Sequence, residues 1–178
     1  MNGMFGDAVA GLAGTAVMSL AMAGAKAAGL LPGETPPRRV SRNVEKALGL
    51  SDERSPTSSE AGWIGQHFAF GATAGVAYGL VERRLPLREP LLVGPLYGAA
   101  LWAFSYAGWL PATGLYPPPD VEPKRRVASM IAAHLIYGTV TAAVARTLDA
   151  GPGPVHPSRG SHAGWVSERR LSIPAGCR

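Results

Sequence analysis

His67 and His134 are the residues whose type and placement could do chemistry. Each stands in an uncharged, mostly apolar run, where an imidazole is costly unless it is paired or hydrogen-bonded. Each also opens the same pattern. His67-Phe-Ala-Phe-Gly71 and His134-Leu-Ile-Tyr-Gly138 both read His-x-x-aromatic-Gly. A small residue follows four positions later, Gly75 in the first and Ala142 in the second.

Three kinds of chemistry fit such a pair. Each ring could bond across to a neighbouring helix and specify packing. The pair could line a proton or ion pathway. The two rings could also be the axial ligands of a haem, or hold a metal. Nothing else in the sequence marks a cofactor, so neither cofactor nor metal is expected. There is no nucleophile motif, no phosphate-binding glycine loop and no HExxH. No catalytic residue is expected, and the chain reads as non-enzymatic. His156 and His162 are too sparse for a metal-binding tract.

The elements that must position these rings are four long apolar runs, each meeting the roughly 17–25 residues needed to cross a bilayer. They span about 8–31, 61–81, 92–115 and 127–145. The expected fold is all-α, an integral membrane four-helix bundle formed by residues 1–149. A disordered tail over 150–178 follows, rich in Gly, Pro, Ser, His and Arg without period. A signal peptide would place Lys or Arg ahead of the first run. Residues 1–6 have neither, so that run is read as a retained helix.

Between the first two runs, residues 36–49 read as a short amphipathic helix. Val40, Val44, Ala47 and Leu48 keep helical spacing, while Arg38, Arg39, Arg42 and Lys46 take the other faces. Pro37 suits a helix start and Gly49 a stop. It would lie flat at the lipid interface or serve as a solvated connector. Residues 51–60 read as a polar loop, and the proline-rich stretch 111–123 as a rigid turn.

Small residues mark the packing faces. Gly71, Gly75 and Gly79 form a doubled small-x-x-x-small stripe in the second run. Gly138 and Ala142 repeat it in the fourth, and Gly94 and Gly98 in the third. Such stripes let helix backbones approach closely in lipid. They would hold the bundle and offer a surface for a homo-oligomer. Two repeated two-helix units, related by an axis along the membrane normal, fit the likeness of the His segments. In an up-down bundle both rings would sit about 10 Å beyond their helix starts, at one depth. Trp102, Tyr106, Trp109 and Tyr116 suit an interfacial aromatic belt. Asp7 suits the opposite interface, beside the first helix N-terminus.

Bulk properties agree with a membrane chain once their clustering is seen. Mean hydropathy is only +0.09 because the runs are built from Ala and Gly. The net charge of +5 and pI near 9.8 come from Lys and Arg placed in connections and tail. They form no single patch, so no nucleic acid partner is expected. Cys177 is the only cysteine, which excludes an intrachain disulfide. Positive charge leans towards the loops carrying Arg38, Arg39, Arg42, Lys46, Arg54 and Lys124–Arg126. Those loops would be cytoplasmic, with both termini outside.

Several motifs together resemble the YagU-like group of bacterial inner-membrane proteins. They are Leu31-Pro32-Gly33-Glu34, Pro36-Pro37-Arg38, the two His segments, and Ser105-Tyr-Ala-Gly-Trp109-Leu-Pro111. The likeness covers residues 6–146. It implies a small multi-pass protein of the inner membrane and brings no reaction or substrate with it. The alternatives to a non-enzymatic bundle are a small transporter or proton-linked channel using His67 and His134, and a haem- or metal-binding subunit.

Overall fold

A computed structural model describes residues 3–31, 33–49, 56–86 and 89–150, with the side chains of 56–59 excepted. The described residues form helices and turns and no strand. There are five helices: α1 (Gly3–Ala27), α2 (Pro36–Ala47), α3 (Pro56–Glu82), α4 (Pro90–Ala112) and α5 (Lys124–Asp149). The expected tail lies outside the described residues except for Ala150.

Local sequence explains where the helices end. Gly29, at φ +72, closes α1, with Gly29 N–H donating to Lys26 O and Leu30 N–H to Ala25 O. A left-handed residue at that place is the usual helix stop, and glycine takes it without strain. The first span therefore ends at Ala27 instead of 31, and it begins at Gly3. Pro36 and Pro37 start α2 with φ already set for a helix, and Gly49, at φ +70, stops it. Pro56 starts α3, so the second half of the expected polar loop is helical. Gly114, at φ +71, ends α4 at Ala112 instead of 115. The basic residues Lys124–Arg126 join α5, which outruns the expected span at both ends.

Three of the four long helices, α1, α4 and α5, are long and apolar enough to cross a membrane. The second of the four expected spans, α3, falls short of that. It is long enough, but Gln66, His67, Thr73 and Tyr78 dilute its apolar run. Large apolar side chains face outward on α1 and α4, among them Leu20, Leu96 and Phe104, each at least 60% exposed. Such a surface suits lipid better than water.

The helices pack in the order α3, α1, α5, α4 around the bundle. Glycine makes each contact close. A Cβ on Gly71 would strike Thr15, and one on Gly75 would strike the backbone of Asp7 and Gly11. Across the bundle, Gly94 and Gly98 meet the backbone of α5 at Gly138 and His134. Ala142 is fully buried beside Gly94. All these stripe residues face helices of their own chain.

A twofold relation between the units α1–α3 and α4–α5 would make α3 pack on α4 as closely as α1 packs on α5. It does not: α1 and α5 share a long contact, while α3 and α4 touch only slightly. That contact is pinned where Tyr97 Oη donates to Ala74 O at 2.6 Å and the Tyr78 and Tyr97 rings meet edge-on at 5.2 Å. Tyr97→Phe is expected to cost about 1 kcal/mol, the usual worth of one hydrogen bond. The check is a fall of about 3 °C in melting temperature in detergent. An unchanged value would mean the bond does not hold the two helices.

Candidate functional site

Where α3 and α4 do not close, a cavity of about 340 Å³ opens inside the bundle. Every helix contributes to its wall. Thr15, Met18 and Met22 come from α1, and Phe70 with Gln66 from α3. Met130 and Tyr137 come from α5. The α4 wall is shaped by a π-helical turn over Ser105–Trp109, where the helix is wider by one residue per turn. That turn carries Ser105, Tyr106 and Trp109 to the cavity. Ser105 Oγ donates back to Leu101 O at 2.6 Å, so its proton is not free for a ligand.

Both histidines line this cavity. His134, buried, donates from Nδ1 to the carbonyl of Met130 at 2.8 Å. His67 Nε2 is also buried and has no hydrogen-bond partner. The rings come from different helices and make no hydrogen bond to each other. Tyr137 Oη bridges to α3 by donating to Gly71 O at 2.7 Å, which ties the two His-bearing helices beside the cavity. Among the described residues no three His, Cys, Asp or Glu side chains cluster as a metal site.

The amphipathic helix α2 covers one side of this space. Its apolar edge, Pro36, Pro37, Val40 and Val44, lines the cavity, and Val40 packs against the methionine and tyrosine core. The alternatives of lying flat on lipid or standing free in solvent are thus replaced by a third: α2 is docked on the bundle.

Polar contacts hold it there. Asn43 donates to Leu115 O at 2.8 Å, 72 residues along the chain. Arg39 lies over the Tyr116 ring at 5.3 Å and faces Glu122 at 3.7 Å. Arg38 pairs with Glu60 on α3, and Arg42 with Glu34.

Glu122 is the hub of this end. It accepts from Tyr106 Oη at 2.7 Å and Tyr116 Oη at 3.0 Å, and Arg126 approaches at 3.6 Å. Its side chain is only 6% exposed. Burial pushes the Tyr116 hydroxyl above the ordinary tyrosine range, which keeps it a donor. Tyr106 and Tyr116 are accordingly core residues, Tyr106 stacked on Trp102 and tilted against Tyr116, and form no exposed belt. Sequence reasoning missed Glu122 and Arg126. Their spacing of four across the α5 start was the available signal.

At the far end of the bundle Asp7 is also unlike its expected placing. It is 2% exposed, one turn inside α1, and pairs with Arg83 at 2.9 Å. Gly79 leaves the room its carboxylate occupies.

No curated protein and no solved structure matches the chain. The family model that matches is described as a family of unknown function, DUF6789, and does not name the YagU-like group. It covers residues 1–155, well over half the chain, and the chain belongs to that family.

Proposed function

We propose that the chain is a multi-pass protein of the inner (plasma) membrane that binds a small apolar molecule and catalyses no reaction. The observation that carries this reading is the cavity itself. At about 340 Å³ it falls within the roughly 300–1,000 Å³ of small-molecule sites. Its wall is mostly apolar, with a few convergent polar groups, as such sites require. The molecule would enter from the bilayer, with α2 as the cover. On this reading α3 completes four crossings, shielded by α1 from the cost of its polar residues.

Two measurements test it. Reporter fusions at Met1 and Arg178 should report the same compartment, since four crossings return the chain to its starting side. Opposite compartments would end the four-crossing arrangement. Mass spectrometry of the gently extracted protein should show a retained small molecule, and Leu101→Trp, which fills the cavity wall, should abolish it. Retention unchanged by Leu101→Trp would place the molecule elsewhere.

A second reading, a transporter or proton-linked channel, draws on the ion pairs that hold α2, because such pairs can open and reclose. Flux in liposomes that depends on His67 would favour it, and flux unaffected by His67→Phe would remove it.

A further inference from the structure

The His134 ring has its two nitrogens in different circumstances. Nδ1 lies 2.8 Å from the carbonyl oxygen of Met130. A carbonyl only accepts, so Nδ1 carries the ring proton. Nε2 is then a lone-pair acceptor, and no described residue donates to it. The residue is 8% exposed and lines the cavity. On a mostly apolar wall this lone pair has no donor among the described residues, and a bound donor would supply the missing hydrogen bond.

The rest of the wall narrows the ligand further. Among the described residues no Asp, Glu, Lys or Arg lines the cavity. A charged ligand would meet no counter-ion there and would lose its hydration without compensation. Met18, Met22, Phe70 and Trp109 offer adaptable apolar contact. The volume equals roughly eleven water molecules at about 30 Å³ each, room for a ligand of about a dozen non-hydrogen atoms.

Resting on the proposed binding role of this cavity, we infer that its ligand is an uncharged apolar molecule presenting a hydroxyl, which donates to His134 Nε2. The hydroxyl sits between the two His-bearing helices and the carbon chain lies along the α1 methionines. A membrane lipid alcohol and a free long-chain alcohol share this chemistry. An ether or ester of the same size lacks the donor and leaves Nε2 unpaired.

The test uses two photoreactive probes on the full chain in nanodiscs, decan-1-ol bearing a diazirine and its methyl ether, with labelled peptides mapped by mass spectrometry. The alcohol should label the cavity peptides about tenfold more than the ether, the effect of one buried hydrogen bond. His134→Phe should bring the alcohol down to the level of the ether while ether labelling persists. Equal labelling of the parent by both probes would overturn the hydroxyl assignment and leave the apolar cavity standing. Labelling of the cavity by neither probe would overturn the binding role as well. Competition distinguishes the sources: extracted membrane lipids should displace the probe if the ligand is a lipid alcohol, and added dodecan-1-ol alone if it is free. The parent comparison decides the matter even if His134→Phe fails to fold.

Discussion

Gly75→Leu is expected to lower the melting temperature in detergent by about 10 °C, while Ala77→Leu changes it by less than about 2 °C. Gly75 lies where the α1 and α3 backbones are in contact, and even a Cβ there would meet Gly11 and the Asp7 carbonyl. Neither obstacle is a side chain that can turn away. The helices must separate, giving up dispersion contact along the whole α1–α3 seam. Overpacking typically costs about 1–3 kcal/mol, and a leucine against backbone belongs at or above the top of that range. Ala77 is on the same helix, about 200° away, and is exposed. A leucine there meets only the surroundings. Equal losses in the two variants would mean that α3 is not held by its glycines.

Glu122→Ala should be the most damaging change outside the long helices. The substitution removes the acceptor of two tyrosine hydroxyls and the carboxylate facing Arg126 and Arg39. Breaking a buried charged cluster by deleting one member costs about 3–5 kcal/mol. Glu122→Gln keeps the shape and an acceptor oxygen, so it should lose roughly half as much. Because Arg39 belongs to α2, the damage should also be visible as faster hydrogen exchange over 36–47 than over α5. A stability loss with α2 exchange unchanged would separate the cluster from the holding of the cover.

What was legible in the sequence follows from the range of the forces involved. The stripe Gly71, Gly75 and Gly79 could be read because helix geometry puts every fourth residue on one face. The bounds of α2 could be read because proline and glycine act on their own backbone. The two histidines stood out because polar rings in apolar runs are costly wherever the fold puts them.

The docking of α2 could not be read. It depends on Asn43 reaching Leu115 and on Arg39 meeting Tyr116, contacts between residues more than seventy apart in sequence. Its amphipathic pattern is the same whether the apolar edge meets lipid or protein. Tyr106 and Tyr116 were misplaced for a related reason: a tyrosine near a helix end suits a membrane interface, and only Glu122 draws these two inward. Asp7 was read as interfacial because a lone carboxylate near a chain start gives no hint of Arg83, which arrives from the end of α3. The cavity was invisible altogether, since it results from helices that fail to close.

Methyl-labelled NMR of the full chain in lipid nanodiscs tests most directly whether α2 covers a cavity that holds a ligand. Methyl protons of Val40 should show contacts with Met18, Met22 and Met130, and these methionines should also show contacts with protons of a molecule that is not protein. Contacts from Val40 to bulk lipid alone, with the methionine methyls seeing only one another, would contradict both the cover and its contents.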